Sequence, residues 1–116
     1  MLTIEEKTQA VVSALEDVKA QDIVVINTSK LSSLFDRMVF ASAQSTRQTK
    51  ALADSVEAKL GALGAPAQGT EGAGSGEWVL VDLGDVIVHI MQPAVRAYYN
   101  IEELWGAPPR QERTGK

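Results

Sequence analysis

Apolar positions near the start of the chain recur at helical spacing. Ile4, Val11, Val12, Leu15 and Val18 fall on one stripe, and Thr3 with Glu6 three residues later carries the capping-box signature, so a first helix of about four turns is predicted. The period then changes. Asp22 opens the run Ile23-Val24-Val25-Ile26, short and mostly β-branched, which reads as a strand covered on both faces. Residues 27–33 form a polar turn and residues 37–43 a second strand. Ser45 and Gln48 repeat the capping pattern, and Leu52, Val56, Leu60 and Leu63 repeat at spacings of three and four until Gly64 and Pro66 stop a second helix. Residues 65–76 hold Gly69, Gly72, Gly74 and Gly76, too many for a regular element, and predict a mobile loop with a short edge strand at its start. Two further strands, 78–83 and 86–91, flank Gly84-Asp85, a two-residue hairpin turn. Pro93 suits the first position of a short helix reaching Tyr99; Asn100 caps one more turn, 101–105, ended by Gly106. These elements make a single α/β domain, a mixed β-sheet packed with helices, over residues 1–106, followed by a tail, 107–116, expected to be disordered. Strand order does not follow from the pattern.

The hairpin register divides its side chains into two sets. Leu83 faces Val86, and the ladder continues through Asp82–Ile87, Val81–Val88, Leu80–His89, Val79–Ile90 and Trp78–Met91. One face, Val79, Val81, Leu83, Val86, Val88 and Ile90, is wholly aliphatic and belongs to the core. The other, Trp78, Leu80, Asp82, Ile87, His89 and Met91, mixes large apolar groups with a charge and an imidazole. Such a mixture suits a partner surface, and equally a face covered by a second layer of the same domain.

Composition narrows the function classes. With 116 residues the chain is long enough for one core, and 45% apolar with 22% charged residues is ordinary for a globular domain. Its longest apolar runs, such as 86–91, fall far short of the roughly 20 residues of a membrane span, so no membrane association is expected. An acidic pair, Glu5-Glu6, stands where a secretory signal would be basic, and there is no cysteine; a cytoplasmic location is expected. Charge is unevenly spread: residues 1–105 hold 8 basic against 14 acidic residues, a balance of −6, whereas the last eleven carry +2. An acidic body binds phosphate backbones poorly, so no nucleic-acid specificity is expected and a basic protein is the better partner.

Candidate chemistry is sparse. Metal-dependent nucleotidyl transfer needs two carboxylates on one strand with one residue between them; Asp82 and Asp85 are three apart across a turn, and they read as a strand-end residue and a turn former. The glycines of 65–76 lack the Gly-Lys-Ser/Thr of a phosphate loop and lead into a strand. His89 is the one histidine, too little for a multi-histidine metal site, and no nucleophile accompanies it. No metal, cofactor or catalytic residue is assigned.

Several stretches together resemble the bacterial ribosomal silencing factors (the Iojap-like, RsfS family). They are Asp22-Ile23-Val24-Val25, Ser45-Thr46-Arg47-Gln48, Lys50-Ala51-Leu52-Ala53, Glu71-Gly72, the run from Gly76 through Trp78 and His89 to Gln92, and Tyr99 with Leu104-Trp105. The resemblance spans roughly residues 5–105, and its 78–92 stretch is the most specific part. It implies a fold related to nucleotidyltransferases without their catalytic carboxylates. It also implies binding to ribosomal protein L-fourteen on the large ribosomal subunit, steric exclusion of the small subunit, and lowered translation under nutrient limitation. The contact positions carried over are Trp78, Leu80, His89, Met91 and Tyr99. A homodimer of the free protein is compatible with this reading. The alternative from another class is a metal-dependent nucleotidyl- or phosphotransferase with a degenerate site.

Overall fold

The structure, a computed structural model, describes residues 2–106; the tail expected at 107–116 lies outside the described residues. Helix α1 (Ile4–Asp17) starts with the capping box read from the sequence: the Thr3 hydroxyl accepts from the Glu6 N–H at 3.0 Å, and the Glu6 carboxylate accepts from the Thr3 N–H at 2.9 Å. Its end is a Schellman turn made without glycine. Lys19 takes the left-handed conformation (φ 63°), and the Ala20 N–H donates back to Leu15 at 3.0 Å. Helix α2 (Thr46–Ala62) is capped by Ser45, whose hydroxyl accepts from the Gln48 N–H. The Gln48 side chain does not close a box on Ser45. It accepts from the Gln44 N–H and donates to the carbonyls of Val18 and Lys19, so the start of α2 satisfies the end of α1.

Five strands, β1 (Gln21–Asn27), β2 (Arg37–Ser42), β3 (Gly69–Glu71), β4 (Trp78–Asp82) and β5 (Val86–Met91), form one mixed sheet in the order β1-β2-β5-β4-β3. Only β2 and β5 are parallel; the other neighbours are antiparallel. The β4–β5 ladder has the expected register from Trp78–Met91 to Asp82–Ile87, and Leu83 N–H closes the turn on the Val86 carbonyl at 2.9 Å. Gly84 at φ 90° makes this turn possible. The aliphatic hairpin face joins Val11, Leu15, Leu52, Val56 and Leu60 of α1 and α2 in the main core.

One expectation needs correction. β1 is an edge strand whose two faces are only partly covered: Ile23 packs against the main core and Val24 and Ile26 join the smaller one, but Val25 is 44% exposed. A register shift between Gln21 and Val24, with Asp22 at φ 50°, further breaks its ladder. Its β-branched run reflects strand propensity, which serves an edge as well as a centre. The glycine-rich segment does begin with the expected short edge strand, β3. After β3 it turns with Gly76 N–H on the Gly72 carbonyl at 3.0 Å, and the Gln92 side chain donates to the Gly76 carbonyl at 3.2 Å.

Helices α3 (Pro93–Tyr99) and α4 (Ile101–Leu104) fold back over the second face of the sheet. There Ile26, Met38, Phe40 and Met91 form a smaller core, with Val95, Ile101 and Trp105 packed on it. The hairpin's mixed face is therefore partly a covered layer and partly surface.

Candidate functional site

Trp78 opens β4 directly across from Met91, where β5 runs into α3. Its indole N–H donates to Nδ1 of His89 at 3.0 Å, two pairs along the sheet on the same face. The imidazole lies flat on Phe40 of β2, with ring centroids 4.8 Å apart and planes 9° apart. Because Nδ1 accepts, the ring is neutral with its proton on Nε2. Burial pushes its pKa down from 6.5 to about 4 by penalising the charged form. Trp78 in turn meets Tyr99 at 5.2 Å, and Tyr99 meets Tyr98 edge-on at 5.0 Å. The result is a graded stack running from a sealed base, Phe40 and His89, through half-buried Trp78, to exposed tyrosines.

The five carried-over residues thus divide by depth. Met91 is fully buried and His89 nearly so, because α3 and α4 cross that end of the sheet; both support the surface from below and do not form it. Trp78 and Leu80 are half-buried and border a shallow depression with Glu71 and Gly72. Tyr99 is 53% exposed. Tyr98, which the sequence did not single out, and Leu104, quoted there as part of the resemblance but not as a contact position, are more exposed still, at 81% and 80%. Phe35, from the loop between β1 and β2, packs against Trp105 at 5.3 Å, and Leu34 beside it is exposed. Tyr98, Tyr99 and Leu104 are thus large side chains left exposed on one pair of short helices.

A second feature escaped the sequence reading altogether. Arg96 of α3 and Glu102 of α4 are completely buried and joined by two hydrogen bonds, Nε at 2.5 Å and Nη2 at 3.2 Å, while Nη1 donates to Ser42 Oγ of β2 at 2.7 Å. In sequence both look like solvated charges on a short helix. Their spacing of six, across a helix break at Asn100, has no recognisable period.

The acidic pair considered for metal chemistry is engaged structurally. Asp82 accepts from the Gly84 N–H at 2.8 Å, and Asp85 pairs with Lys7 of α1 at 2.7 Å, whose ammonium also donates to the Leu83 carbonyl. Among the described residues, no three His, Asp or Glu side chains gather where they could hold a metal ion. A hollow at the turn end of the hairpin, away from Trp78, is bordered by Lys7, Leu63, Pro66, Gln68 and Asp85. The arrangement is that of a small α/β domain presenting a supported aromatic patch.

Comparison with known proteins agrees with the resemblance. The family model "Ribosomal silencing factor during starvation" matches residues 2–116. The chain is 56% identical over 105 residues to ribosomal silencing factor RsfS of Chromobacterium violaceum, covering 90% of this chain and 86% of that protein. A crystal structure from the same organism superposes with a TM-score of 0.91 at 55% identity, covering 92% of this chain and 89% of the other. A mouse relative named for mitochondrial assembly of the large ribosomal subunit is 32% identical over 97 residues, 81% of this chain and 42% of that protein. The chain belongs to the ribosomal silencing factor family.

Proposed function

We propose that this protein is a cytoplasmic translation repressor that docks on the large ribosomal subunit through ribosomal protein L-fourteen and sterically keeps the small subunit away when nutrients are scarce. The observation that carries this reading is the exposed pair Tyr98 and Tyr99, held through Tyr99 on the Trp78–His89–Phe40 stack, with Leu104 exposed on the adjoining helix. Rigid aromatic groups lose little conformational entropy on docking and dominate the affinity of protein interfaces. Membership of a family described as ribosomal silencing factors supports the ribosome as the target. The body's balance of −6 favours a basic ribosomal protein over ribosomal RNA as the direct contact. Glu71 at the edge of the depression places a negative charge beside the apolar centre.

Co-sedimentation with isolated large subunits, with no nucleotide added, tests the reading. The wild-type protein should sediment with large subunits in a one-to-one ratio. Tyr99→Ala, a change at an exposed ring, should fold normally and lose about thirtyfold in affinity, which corresponds to about 2 kcal/mol for a central aromatic anchor. Wild-type affinity in this variant would remove the patch from the interface. Binding that requires nucleotide and a divalent metal, with turnover, would favour the transferase alternative.

A further inference from the structure

We infer that the buried Arg96–Glu102 pair, keyed to β2 through Ser42, is a positioning clamp that sets the C-terminal elbow and so the orientation in which Tyr99 and Leu104 meet the partner. This rests on the docking reading above, and it concerns residues that reach no partner themselves, since Arg96 and Glu102 are both fully buried. Between them the chain turns at Asn100, in the left-handed conformation (φ 51°), with its N–H on the Arg96 carbonyl at 3.0 Å. Beyond that turn α4 has only four residues, too few to hold a direction by its own hydrogen bonds. Apolar contacts of Ile101 and Trp105 attach it to the small core, but such contacts are non-directional and tolerate sliding. The guanidinium fork is directional. It fixes the Glu102 carboxylate by two bonds and refers both helices to the sheet by a third, to Ser42.

Stability alone is a poor reason for this arrangement. A buried ion pair is often no more stabilising than well-packed apolar residues of similar volume, and in some proteins what such polar groups contribute is the arrangement they specify. Tyr99 immediately precedes the turn, and Leu104 lies two residues past Glu102. A rotation of the elbow therefore displaces the exposed anchors while leaving both cores largely intact.

The test replaces the pair by apolar side chains, Arg96→Met with Glu102→Leu, in the full chain. Three quantities are measured: melting temperature, the nuclear Overhauser contacts between the Phe35 and Trp105 rings, and co-sedimentation with large subunits. The clamp predicts a melting temperature equal to or above wild type, weakened Phe35–Trp105 contacts, and at least a tenfold loss of affinity. A purely structural role predicts that affinity falls only as far as the melting temperature does, and that result overturns the clamp. So does wild-type affinity with intact ring contacts. Tyr99→Ala is run alongside: if it binds like wild type the docking reading fails, and the clamp is then judged on the ring contacts alone, their persistence overturning it. Should the double variant not fold, Ser42→Ala, which keeps the ion pair but cuts its tie to β2, takes its place: its melting temperature falls because Nη1 loses its buried acceptor, so it is read by the ring contacts and by affinity at equal folded fraction, and wild-type values of both overturn the clamp.

Discussion

His89 is held neutral by its surroundings, and this makes stability depend on pH in a defined window. Its folded pKa of about 4 lies below the ordinary 6.5, so between those values the unfolded chain binds the proton more readily. Stability contributed by the neutral ring is complete above about pH 6.5, falls as the pH drops, and is gone near pH 4, a total of about 3 kcal/mol. Denaturant titrations at pH 7 and pH 5 should differ by about 2 kcal/mol from this residue. In His89→Gln that part of the difference should vanish; an unchanged slope would mean that the ring is solvated. Gly72 makes a second prediction at this scale. Its φ of 86° is unfavourable for other residues, and a Cβ there would stand 2.1 Å from the Trp78 carbonyl oxygen. Gly72→Ala should cost about 2 kcal/mol or more, and should alter Trp78 fluorescence because the clash falls on that residue's backbone. Trp78 itself is a less clean probe than Tyr99. It is half-buried against the small core and hydrogen-bonded to His89, so its removal mixes folding with docking.

Elements whose rules are local were legible in the chain. Thr3 and Glu6 make the box that their spacing announces, and Thr3→Ala should lower stability by about 1 kcal/mol, a drop of roughly 4 °C or somewhat more in a thermal melt. A melt identical to wild type would show that α1 is held by packing alone. The hairpin register followed from a two-residue turn and a period of two, and from it came the separation of an aliphatic core face from a mixed one. Where an element's setting depends on distant partners, local pattern was silent. The run 23–26 has the same β-branched character at an edge as it would have at a centre, and only the order β1-β2-β5-β4-β3 decides which. The site was half legible for the same reason. Its sheet residues sit on a periodic element, whereas Tyr98, Leu104 and the Arg96–Glu102 pair depend on how two short helices fold back across that sheet. Whether His89 and Met91 are surface or support depended on the same crossing.

At the scale of the whole molecule, occupancy of a joining surface makes demands that catalysis does not. The acidic body should speed encounter with a basic ribosomal partner, so association should slow as salt rises, while the apolar patch keeps dissociation nearly salt-independent. A steric blocker must also act in proportion to its amount and according to the order of assembly. Added to large subunits before small subunits, the protein should raise the free-subunit fraction in a sucrose gradient, and the effect should saturate near one molecule per large subunit. Added to ribosomes already joined, it should do little until they separate spontaneously, because the surface it needs is then covered. A catalytic modifier would behave otherwise: substoichiometric amounts would suffice, order would not matter, and the effect would outlast removal of the protein. Asp82→Asn with Asp85→Asn sharpens the contrast, since these carboxylates serve the hairpin turn and the Lys7 pair. Once shown to be folded, that variant should inhibit joining as well as wild type at equal occupancy, whereas a metal-dependent transferase using them would lose several orders of magnitude in rate. Loss of inhibition by a variant that still binds large subunits normally would exclude steric blocking.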